Sequence, residues 1–98
     1  MYSPTARAIR DKLTRALQPE ALDIADESAR HAGHSGARAE GETHFSIHIV
    51  SAAFQGLSRV ERQRTVYDIL KDEIAGGVHA LALVTLTPEE AQRAADRR

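Results

Sequence analysis

The chain predicts an α+β fold. It reads as a single domain with elements in the order α-β-β-α-β-α and a three-stranded mixed sheet carrying its helices on one side. Three observations predict it. Apolar residues recur at helical spacing in two stretches, one near the start and one after Ser58. Apolar and polar residues alternate in two stretches between them, and a third, aliphatic run follows Gly76-Gly77. A strand–helix–strand unit takes a right-handed crossover, which sets the third strand parallel to the second. With 98 residues the chain forms one domain, 1–98, packed over about 4–90 with fraying ends, and it can bury one modest core.

The first helix opens at Ser3-Pro4, with serine as the cap and proline at N1, where a missing N–H costs nothing. Ala6, Ile9, Leu13, Ala16 and Leu17 then form one apolar face, and Pro19 closes the element. Residues 21–28 alternate, with Leu22 and Ile24 inward, and predict a half-buried strand. Residues 30–42 are polar, contain three glycines and predict a loop of the length that often carries function. Residues 43–51 alternate again, with Phe45, Ile47 and Ile49 inward and His44, Ser46 and His48 outward, and pair antiparallel with the first strand. Ser58-x-x-Glu61 is a capping box that starts a helix running to about Ala75. Val60, Tyr67, Leu70 and Ile74 form its inward face, with Val66 and Ile69 beside them. Gly76-Gly77 supply the left-handed conformation that ends it. The run 78–86 is nearly continuous aliphatic, as expected of a strand lying centrally or covered on both faces. Thr87-Pro88-Glu89-Glu90 caps a last, alanine-rich helix. The expected core is Leu22, Ile24, Phe45, Ile47, Ile49, Leu81 and Leu83, backed by Ile9, Leu13, Tyr67, Leu70 and Ile74.

Composition excludes several classes of function. A net charge of −1 gives no global pull toward nucleic acid or an anionic membrane, so any such binding must use a local patch. Without cysteine there is no disulfide scaffold, no thiol nucleophile and no thiolate metal site. No segment has the make-up of a signal peptide, and no apolar run approaches the ~20 residues needed to span a bilayer, which leaves a cytoplasmic protein without membrane association as the expectation. Nucleotide, dinucleotide, serine-hydrolase and zinc-protease motifs are absent, so no enzyme is expected.

Five histidines and a cluster of arginines remain. His31 and His34 form His-x-x-His in the glycine-containing loop, where two imidazoles could converge on a metal, although taken alone they read as solvated residues. His44 and His48 read as solvated on the outer face of the second strand. His79 stands at the mouth of the third strand, a rigid position suited to a ligand, and on spacing alone a partly buried structural histidine is the better reading. A zinc site from His31, His34 and His79 lacks a fourth ligand. Arg59, Arg62 and Arg64 crowd a helix start, where the macrodipole already disfavours cations. They read as a solvated face in preference to phosphate contacts, and because Arg62 and Arg64 do not share a face, one of them packs. Gly33-His34-Ser35-Gly36 matches the G-x-x-G string of KH domains but falls between strands rather than helices.

Taken together, Asp26-Glu27-Ser28, His31, Gly41-Glu42-Thr43-His44-Phe45, Val50-Ser51, Phe54-Gln55-Gly56-Leu57-Ser58, Arg62, Arg64, Val66-Tyr67 and Val78-His79-Ala80-Leu81-Ala82-Leu83 resemble the BolA-like proteins. The resemblance implies a fold related to the type II KH arrangement. It implies an adaptor in iron–sulfur cluster handling and iron homeostasis that binds a monothiol glutaredoxin and is a monomer or weak homodimer alone. A [2Fe–2S] cluster would be shared, with thiolates from the glutaredoxin and glutathione. This chain would supply His79 and a loop histidine, His31, with His34 as its competitor. Some members are described as DNA-binding transcription regulators, which would assign Arg59, Arg62 and Arg64 to nucleic acid; with so few phosphate contacts, such binding is expected to be weak and steeply salt-dependent. The helix reads Arg62-Gln63-Arg64 where the family commonly has Arg-His-Arg, so no role of that histidine carries over.

Overall fold

The computed structural model describes residues 3–27 and 43–97. Helix α1, Pro4–Leu17, begins where the Ser3 hydroxyl accepts the Ala6 N–H at 3.1 Å. It stops at Gln18, which takes a left-handed conformation (φ 45°) before Pro19 and donates its N–H to the Thr14 carbonyl. Strand β1, Ala21–Asp26, pairs antiparallel with β2, His44–Val50, so that Ile24 faces Ile47. Strand β3, Ala80–Leu86, lies parallel on the other side of β2, with Leu83 opposite Ile47. The mixed three-stranded sheet therefore has the order β1-β2-β3.

One face of the sheet is covered. Phe45, Ile47 and Ile49 of the central strand are almost fully buried with Ile9 and Leu13 of α1 and with Phe54, Val66, Leu70 and Val78. Leu22, Leu81 and Leu83 close this core at its margins. The Ser51 hydroxyl donates to the Leu17 carbonyl at 2.6 Å, which fixes the end of α1 against the end of β2. Lys12 of α1 reaches Glu73 at 2.9 Å, and that pairing raises the lysine's pKa.

The structure departs from the expected elements in three places. The helix expected over 58–75 is two: α2, Arg59–Ile69, and α3, Lys71–Ala75, with the chain bending at Leu70, whose side chain is fully buried. The inward face of α2 is Val66 and Leu70, with Ile69 partly buried beside them and Arg62 one turn earlier; Val60 and Tyr67 are 57% and 41% exposed. Leu70 belongs to both stripes and is buried, while Arg62 and Val66 take the inward places expected of Val60 and Tyr67. The last strand is an edge, shorter than 78–86, and its burial alternates, leaving Val84 47% exposed. Its small outward residues, Ala80 and Ala82, made it read as continuous apolar sequence although only its inner face is covered. Gly77, at φ 128°, holds a conformation that side-chain-bearing residues rarely adopt and turns the chain from α3 toward β3. The last helix, α4, spans Pro88–Asp96 and starts from the Thr87–Glu90 capping box.

Candidate functional site

Parallel pairing brings the starts of β2 and β3 to the same end of the sheet. The Thr43 carbonyl accepts the N–H of His79 at 2.7 Å and that of Ala80 at 3.2 Å, so the backbone of His79 is clamped to the strand beside it. Val78, just before, is buried, while the His79 side chain is exposed. An anchored backbone thus presents an exposed ring at the sheet's mouth.

A second imidazole stands next to it. The ring centroids of His44 and His79 are 6.1 Å apart, tilted by 37°. His44 Nδ1 lies 2.9 Å from the hydroxyl of Thr43, a residue with no exposed surface. In the tautomer where Nδ1–H donates to that hydroxyl, Nε2 carries the ring's lone pair, the tautomer of a metal-binding histidine whose other nitrogen is held. The alternation in 43–51 puts His44 on the outer face but carries no information about which outer residues of the two strands meet. The parallel register does: His44 is the cross-strand partner of Ala80, which makes it a neighbour of His79.

His31 and His34 lie outside the described residues. The segment that carries them leaves β1 after Glu27 and enters β2 at Thr43, and Glu27 N–H donates to the His44 carbonyl at 2.7 Å. Both of its attachment points are therefore at the end of the sheet that holds His44 and His79. Among the described residues no group of three or more His, Cys, Asp or Glu side chains gathers to hold a metal, so this end offers a pair of imidazoles rather than a complete protein site. His48 is exposed further along the sheet, opposite Asp23 and Val84.

The arginines separate. Arg62 turns inward: its guanidinium donates to the carbonyls of Leu57 and Thr85, both at 3.0 Å, and to Glu90 at 2.6 Å, and lies 5.9 Å from the Phe54 ring centroid. It is the packed member that the helical spacing called for, and it is not available to a phosphate. Arg59 and Arg64 remain on the exposed side of α2. No described helix is long and apolar enough to cross a membrane.

Residues 13–90 match a family model described as BolA-like protein. The chain is 50% identical over 86 residues to SufE-like protein 1 of Arabidopsis thaliana, covering 84% of this chain and 23% of that protein. It is 45% identical over 87 residues to BolA-like protein 1 of Mus musculus, covering 89% and 61% respectively, so it spans less than two thirds of either relative. Among solved structures, the BolA domain of SufE1 from Arabidopsis thaliana superposes with a TM-score of 0.83 at 47% identity, over 92% of this chain and 99% of that one.

Proposed function

This chain belongs to the BolA-like family, and from that premise we propose that it is a non-enzymatic adaptor. It binds a monothiol glutaredoxin and completes a [2Fe–2S] cluster that the glutaredoxin and glutathione hold by thiolates. The observation that carries this reading is the imidazole pair at the mouth of the sheet, His79 on a clamped backbone with His44 at 6.1 Å.

The donor chemistry fits. A chain without cysteine offers no thiolate, and a [2Fe–2S] centre accepts two imidazoles on one iron when thiolates hold the other. Two neutral nitrogens alone are a poor match for such a cluster, so the chain completes a site rather than building one. His79 is the fixed ligand. His31 supplies the second nitrogen from the segment that joins β1 to β2, and His34 and His44 compete with it for that position. The cluster is cargo; this chain's part is to present imidazoles at an exposed edge where a second protein can approach.

The test is to add the protein to a cluster-loaded glutaredoxin homodimer in glutathione and follow visible circular dichroism with size-exclusion chromatography. A heterodimer with a changed spectrum is expected. If the wild-type protein forms no complex with the loaded glutaredoxin, the adaptor reading is wrong. No observation favours the nucleic-acid reading over it, since Arg62 is engaged internally and two arginines remain on that helix face.

A further inference from the structure

The outer face of α2 carries an apolar pair that the fold does not use. Val60 and Tyr67 lie seven residues, or about 10 Å and two turns, apart on one side of the helix. With Arg59, Gln63, Arg64, Asp68 and Lys71 they form an open face along one side of residues 59–71. Neither Arg59 nor Lys71 takes part in an ion pair among the described residues. That face thus has an apolar strip bordered by three cations and one carboxylate. This is separate from the histidine end and does not depend on the cluster.

We infer that this helix face docks an amphipathic helical segment of a partner polypeptide, one whose apolar side chains pack on Val60 and Tyr67 and whose flanking carboxylates meet Arg59, Arg64 and Lys71. Charge and apolarity together select that occupant. A second copy of this chain in a two-fold arrangement would set the three cations against themselves. A nucleic-acid backbone would gain nothing from the apolar strip, and three cations give it few phosphate contacts. An anionic lipid surface favours a longer helix whose polar face is wholly cationic. A carboxylate-flanked apolar stripe matches both components, as where two amphipathic helices pack with charged residues flanking the seam.

The probe is a synthetic helix-forming peptide of about 15 residues, with leucines at i, i+3, i+4 and i+7 and glutamates on either side. It is titrated into the isotope-labelled full chain by NMR. Amide shifts confined to Arg59–Lys71 are expected, weakening as salt is raised. Val60→Ser with Tyr67→Ser should weaken binding about tenfold while the rest of the spectrum keeps its dispersion. A peptide with lysine in place of glutamate should not bind. The inference is overturned if the lysine peptide binds equally, if the shifts fall elsewhere, or if the double serine variant binds like wild type. It is also overturned if duplex DNA, phosphatidylserine vesicles or a second copy of the chain occupies this face in preference to the acidic peptide.

Discussion

His79 owes its position to two hydrogen bonds made by its neighbours and itself to one carbonyl, that of Thr43, so removing its imidazole leaves the backbone clamp intact. His79→Ala should therefore fold as wild type and lose the heterodimer's visible circular dichroism change; retention of that change would remove His79 from the ligand set. In the proposed complex the second ligand would behave differently, because His31, His34 and His44 would compete for it. Each single alanine substitution should weaken the signal, and the triple substitution should abolish it even with His79 in place. If the triple variant keeps the full signal, the second nitrogen comes from elsewhere. The place of His79 was legible in the sequence because Gly76-Gly77 and the strand that follows fix it, but spacing alone favoured a partly buried ring and the side chain is exposed. His44 was not, since alternation reports a residue's face and is silent on its neighbour across the strands. Arg62 was half legible: helical spacing requires one arginine to pack, but only the fold reveals the Thr85 and Leu57 carbonyls that receive it.

Helix α2 has two stripes of comparable length, and the difference between them is measurable. Leu70 has no exposed surface, so Leu70→Ala removes a packed side chain and should cost about 2–5 kcal/mol. Tyr67→Ala lies on the exposed side and should change stability by no more than about 0.5 kcal/mol. Urea unfolding of both variants checks this; a loss at Tyr67 as large as that at Leu70 would restore the stripe that periodicity suggested. The strands were easier to read than this helix. Phe45, Ile47 and Ile49 alternate without ambiguity because only one face of the sheet is covered, whereas α2 presents apolar residues on both sides and leaves periodicity undecided. The edge position of β3 was hidden for a related reason: alanines at its exposed positions are apolar in composition but demand no cover.

At the scale of the whole molecule, the Arg62–Glu90 contact joins the start of α2 to the start of α4 across the end of β3. The guanidinium reaches the Thr85 carbonyl of β3 and both Glu90 oxygens, at 2.6 and 3.3 Å, while Glu90 also accepts the Thr87 N–H of its own capping box. Hydrogen bonding to Arg62, then to the Thr87 backbone, holds the Glu90 carboxyl well below its ordinary 4.5, at about 2. A carboxyl whose pKa is lower in the folded state than in the unfolded chain stabilises the fold wherever it is ionised in both states, that is above about 4.5. That contribution is lost progressively as pH falls toward about 2, because the unfolded chain takes up the proton first. Glu90→Gln removes the charge and should lower the urea midpoint at neutral pH. The gap between variant and wild type should narrow as pH falls below about 4.5 and be nearly closed at about 2. Unfolding titrations at a series of pH values, with Arg62→Ala alongside, check the assignment. Arg62→Ala takes away the same partner and also the Leu57 and Thr85 bonds, so it should cost more than Glu90→Gln at neutral pH and keep a residual loss in acid. A gap that stays constant across this range would mean that the guanidinium, not the carboxylate charge, carries the tie between the two helices.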